Sequence, residues 1–110
     1  MRLYDIAHAR AGDKGNSADI TVIAYRSEDY AFLRATLTAA VVRAHFADIA
    51  HGAVERYEIP GLRALKFVLH DTLGGGVTRS LSQDAHGKTL GSSLLELALP
   101  DRSTGDADPM

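Results

Sequence analysis

Apolar and polar residues alternate in three or four places along this chain and recur at helical spacing between them. In residues 2–8, RLYDIAH, Tyr4, Ile6 and His8 share one face and Leu3, Asp5 and Ala7 the other. That period predicts a first strand. The β-branched run DITVIAY, residues 19–25, predicts a second. Residues 27–52 then read as helix, with Val42, Phe46 and Ile49 forming one apolar stripe at i, i+4, i+7. Ser27 is the expected N-cap, followed by Glu28 and Asp29 where the helix dipole favours anions, and Gly52 is the expected stop. Thr38 offers a second N-cap, so the helix can break near Leu37. AVERYEI, residues 53–59, predicts a third strand with Tyr57 and Ile59 on one face. PGLR is a turn. A fourth strand, residues 64–71, turns Leu65, Phe67 and Leu69 one way and Lys66, Val68 and His70 the other. A glycine-rich segment, TLGGGVTRS, and a turn, SQDAHGK, lead to a closing helix in KTLGSSLLELAL, with Leu90, Leu94 and Leu97 on one side. Gly91 costs that helix about 1 kcal/mol relative to alanine.

The order ββαββα is the ferredoxin-like βαββαβ order with its last strand moved to the front, a circular permutation. It predicts an α+β two-layer sandwich: a mainly antiparallel four-stranded sheet with two helices on one face. The expected sheet order is first, second, fourth, third. The first and fourth strands then both run antiparallel to the second and end at the same edge. His8 would end one and His70 the other, two strand spacings or roughly 10 Å apart. The polar segments ARAGDKGNSA and DTLGGGVTRS would meet there. A two-layer sandwich with another strand order would separate them. Residues 1–100 read as a single domain, and 101–110, DRSTGDADPM, as a disordered acidic tail.

Composition narrows the classes. The chain has 110 residues, 45% of them hydrophobic, enough for a core without staples. It has no cysteine, which removes disulfides and thiolate metal sites and fits a reducing compartment. No apolar run nears the roughly 18 residues of a membrane span, and MRLYDIAHA is too short and polar for a signal peptide. A cytoplasmic location and no membrane partner are expected. The net charge of −2 lies in the last ten residues, with three Asp and one Arg. The near-neutral body lacks the basic face of a nucleic-acid binder, so no nucleic-acid partner is expected.

The candidate chemistry centres on HARAGDKGNSADI, residues 8–20. A plain hairpin spends roughly two to five residues on its turn. This segment spends about eight or nine by that comparison, most of them carrying donors. Two readings stand. Asp13, Lys14, Gly15 and Asn16 can form a hydrogen-bonded turn, Asp and Asn binding their own backbone. Alternatively the segment is an anion-accepting rim. Gly12 and Gly15 free the backbone N–H groups, Arg10 and Lys14 supply positive charge, Gly74, Gly75 and Gly76 add further N–H groups, and Arg79 and Lys88 lie nearby in the chain. Such a rim suits a carboxylate, a phosphate or a pyrophosphate. GDKGNS lacks the Walker spacing and GGG lacks a dinucleotide-binding context, so no cofactor is expected. His8, His70 and Asp71 are candidates for acid–base work or plain strand-end groups. They lack the spacing of metal ligands, and no metal site is expected. His45, His51 and His86 read as structural. No G-x-S-x-G motif is present.

Four strings carry a resemblance: LYDIAHARAGDKGNSADI, DYAFLR, VERYEIPGLRALKFVLHDTLGGGVTRSL and DAHGKTLGSSLLELAL. Together they resemble the small ferredoxin-fold domain of AtuA-type (acyclic terpene utilisation) proteins, from Leu3 to Leu99. The resemblance implies a domain fused to a larger AtuA-type domain, or a separate short chain encoded beside it. It also implies a setting in catabolism of acyclic terpenes and branched-chain acyl compounds. It assigns no catalytic residue. The motif covers His8, Arg10, Gly12, Asp13, Lys14, Gly15, Asn16, His70, Asp71, Gly74, Gly75, Gly76 and Arg79. The expected function is an accessory subunit that pairs with a larger AtuA-type chain and brings both loops to an acyl-CoA or carboxylate site. A homo-oligomer is also expected. A free-standing lyase, hydratase or isomerase of acyl compounds, or a non-catalytic assembly module, are the alternatives. The open sheet face is expected to carry Val68, with Tyr4 and Ile6 or with Ile23 and Tyr25.

Overall fold

A computed structural model describes residues 1–14, 17–71 and 90–100. In chain order the elements are β1 (Ala7–Lys14), β2 (Ser17–Ala24), α1 (Ser27–Thr36), α2 (Ala39–His45), β3 (Val54–Ile59), β4 (Ala64–Leu69) and α3 (Leu90–Leu95). Short 3-10 turns occupy Leu3–Asp5 and Pro60–Leu62. The four strands form one sheet in the order β1-β2-β4-β3, every pair antiparallel. This is the expected order and the expected α+β, ferredoxin-like class. The readings of TLGGGVTRS, of SQDAHGK and of the acidic tail fall outside the described residues.

Strand alternation sets the core. On β2, Ala18, Ile20, Val22 and Ala24 are buried while Ser17, Asp19, Thr21 and Ile23 are half-buried. Leu65, Phe67 and Leu69 of β4 join the buried side. Leu33, Val42 and Leu94 of the helices, with Leu37 and Phe46 just past the ends of α1 and α2, cover it. The other positions of each strand face away from that layer. Among the described residues no helix is long and apolar enough to cross a membrane.

The long helical segment does break at Leu37. Thr38 caps the second piece, its hydroxyl accepting the Val41 N–H at 3.2 Å. Arg26, rather than Ser27, is the N-cap of α1. Glu28 and Asp29 still occupy the first turn, and the Arg26 guanidinium pairs with Glu28 across the helix start. Gly52 does not stop a helix, since α2 ends at His45. It brings the α2–β3 connection against the end of β4. Its N–H donates to the His70 carbonyl at 3.2 Å, and the His70 N–H donates to the Ala53 carbonyl at 3.0 Å.

The first strand differs most from expectation. Residues 3–5 coil into a 3-10 turn that buries Leu3, with the Arg2 N–H donating to Asp5 Oδ2 at 2.8 Å. The strand runs instead through the segment expected to be a loop. Ala7, Ala9 and Ala11 alternate with His8, Arg10 and Gly12, a period of two written in residues of weak strand propensity. Pairing with the β-branched residues of β2, from Ala7 opposite Ala24 to Lys14 opposite Ser17, overrides that propensity. Only Gly15 and Asn16 separate the last pair, a composition typical of tight hairpins.

Candidate functional site

The register lays out the uncovered face in rows. His8, Ile23, Ala64 and Ile59 form the first; Arg10, Thr21, Lys66 and Tyr57 the second; Gly12, Asp19, Val68 and Glu55 the third. Lys14 pairs with Ser17 at the end of the hairpin, and His70 follows directly on the last residue of β4. Val68 and Ile23 therefore lie on the open face as expected. Tyr25 is exposed beside His8, the two rings stacked with centroids 5.5 Å apart. Tyr4 is exposed on the 3-10 turn and Ile6 is buried.

His8 and His70 share this face but stand at opposite ends of it. His8 begins β1 rather than ending it, and is level with Ala64, six residues before His70. At the rise of a strand that is roughly 20 Å. The pair expected side by side is thus split. The hairpin end of β1 and β2, however, does share an edge with the exit of β4. Ala18 pairs with Leu69, and Ser17 Oγ lies 3.4 Å from His70 Nδ1.

A chain of hydrogen bonds crosses β2, β4 and β3 at that edge. His70 Nε2 lies 3.1 Å from Glu55 Oε2, and the Tyr57 hydroxyl donates to the other oxygen of Glu55. An ionised carboxylate only accepts, so in the neutral imidazole Nε2 carries the proton and Nδ1 offers its lone pair to the Ser17 hydroxyl. The Tyr57 hydrogen bond, and then that of His70, hold the Glu55 carboxyl below its ordinary range. Glu55 in turn pushes the Tyr57 hydroxyl up. One row away, the Lys66 ammonium reaches Asp19 Oδ2 at 3.6 Å. The Asp19 carboxylate lies over Gly12, where a Cβ would meet its Oδ1 at 2.9 Å.

Arg10 is exposed at the middle of β1, level with Lys66 across Thr21. Asp13 and Lys14 are paired strand residues opposite Ala18 and Ser17. Asp71 takes a left-handed backbone (φ 57°), a conformation aspartate tolerates, and turns the chain out of β4. Gly15, Asn16, Gly74, Gly75, Gly76 and Arg79 lie outside the described residues. Among the described residues no three or more His, Asp or Glu gather as metal ligands. Ser17, Glu55 and Tyr57 were missed from the sequence. Glu55 and Tyr57 alternate visibly in VERYEI, but only the cross-strand register brings Glu55 to His70.

The model of the AtuA ferredoxin-like domain matches residues 1–100. The chain belongs to that family. No curated protein matches it, and no solved structure does. On the uncovered face of this AtuA ferredoxin-like domain stand Arg10, the Lys66–Asp19 pair, and His70 between the Ser17 hydroxyl and the Glu55 carboxylate.

Proposed function

We propose that this AtuA ferredoxin-like domain is an accessory subunit. It lays its open sheet face on a larger AtuA-type chain and lends that chain two polar segments for binding an acyl-CoA or carboxylate ligand. Terpene or branched-chain acyl catabolism is the setting. The observation that carries the reading is the register at the hairpin edge. GDKGN runs off the end of β1 and the chain leaves β4 at His70; the two strands flank β2 and end at one edge of the sheet. Charge supports it, since Arg10 is exposed on the same face. Shape supports it as well. A flat sheet encloses no ligand alone, and a second chain laid across it makes a cleft. The hydrogen-bonded chain at His70 favours a second reading, a free-standing enzyme.

Native mass spectrometry of the chain co-expressed with a larger AtuA-type protein tests the pairing. A stable mixed complex is expected. Charge reversal at Arg10 or Lys14 should then lower acyl-CoA turnover by that complex about tenfold, the loss of one charge-assisted contact of roughly 1.5 kcal/mol. A homo-oligomer that ignores the larger chain, or unchanged kinetics in both variants, overturns the proposal.

A further inference from the structure

We propose that Ser17 is an acyl-accepting nucleophile, with His70 as its base and Glu55 as the group that positions His70, acting on an activated acyl compound such as a thioester. The proposal does not rest on docking to a partner.

Two of the three groups sit on strands and the third just past one. Ser17 opens β2, Glu55 lies on β3 and His70 follows the last residue of β4. Backbone hydrogen bonds fix His70 on both sides, its N–H donating to Ala53 and its carbonyl accepting from Gly52. Glu55 is fixed in turn by the Tyr57 hydroxyl, which leaves its second oxygen aimed at Nε2. A surface ion pair would account for His70 and Glu55, and such pairs add little to stability. It does not account for a half-buried serine hydroxyl at the other ring nitrogen. Nucleophile, base and orienting carboxylate in sequence are the arrangement that activates a hydroxyl. The 3.4 Å separation of Ser17 and His70 is within the looser range of sites without substrate.

The step balances without redox chemistry. Ser17 Oγ bonds to the acyl carbon and its proton moves to His70 Nδ1, while Glu55 offsets the imidazolium charge. The carbon–sulfur bond breaks and the thiolate leaves with that proton as a thiol. Water then adds to the acyl-serine and gives its proton to His70. The carboxylic acid departs and Ser17 recovers its hydroxyl proton. The sum is thioester plus water to acid plus thiol.

Intact-mass measurement tests this on the unmutated chain, alone and co-expressed with the larger chain, using a p-nitrophenyl acyl ester and a short-chain acyl thioester. One acyl group is expected, mapped to the peptide holding Ser17. Ser17→Ala should abolish that label, and His70→Gln should slow it about a hundredfold. Glu55→Gln should slow it about tenfold. It should also change the nitrogen NMR signature of His70 from a proton fixed on Nε2 to a mixture of tautomers, which a structural ion pair alone does not couple to acylation. No acyl group at Ser17 in either preparation, or labelling at an unchanged rate in His70→Gln, overturns the proposal. A mixed complex without acylation removes this inference and leaves the accessory reading standing; acylation without a mixed complex does the reverse.

Discussion

A methyl group added at Gly52 would sit 2.8 Å from the carbonyl oxygen of His70, and one at Gly12 would sit 2.9 Å from a carboxylate oxygen of Asp19. The distances are alike and the neighbours are not. Asp19 can swing its side chain aside, whereas the His70 carbonyl belongs to backbone tied down on both sides. Gly52→Ala should therefore cost about 1–3 kcal/mol of stability, as overpacking does. Gly12→Ala should change it by less than about 1 kcal/mol, since an alanine also gains strand order over glycine. Denaturant unfolding of the two variants checks the contrast. Glu55 gives a pH signature. Its folded pKa lies below the ordinary value of 4.5, so its contribution to stability is complete above that value. The contribution is lost as pH falls through the lowered folded pKa. The melting temperature of the unmutated chain should thus fall more steeply on the acid side of pH 4.5 than that of Glu55→Gln. Calorimetry across that window reads the difference.

At the scale of elements, α1 and α2 are separate because Thr38 starts the second one. Thr38→Ala removes the acceptor for the Val41 N–H and should cost about 1 kcal/mol, measurable by urea unfolding with an unchanged slope. That boundary was legible in the sequence because a cap is a local signal. β2, β3 and β4 were legible for the same kind of reason, a run of β-branched or alternating apolar residues. β1 was not. Its buried and half-buried positions, Ala7 and Ala9, are alanines and the opposite set includes Gly12, so the eight residues alone favour a strand only weakly. The partner strand decides it, and that is a long-range effect. The site inherited the error, because starting β1 at Ala7 moved His8 to the far end of the sheet. His70 was legible as a strand-end histidine. Ser17 and Glu55 were not, since each reaches it only through pairing across the sheet, 53 and 15 residues away in the chain.

At the scale of the whole molecule, one side of the sheet is closed by helices. The other offers a graded surface, from stacked His8 and Tyr25 at one end to Ser17, His70 and Glu55 at the other. The two ends of the described chain lie together. The Leu99 N–H donates to the Met1 carbonyl at 2.7 Å and the Leu3 N–H to the Leu97 carbonyl at 2.9 Å. Three residues, Tyr4 to Ile6, separate Leu3 from the start of β1, so this junction sits towards the His8 end. A leash joined at either end of the described residues would therefore pivot at the corner remote from His70. Swinging about that corner, the domain would sweep its hairpin edge through the widest arc. A short leash would also turn an encounter between two molecules into one within a single molecule, at an effective concentration in the millimolar range.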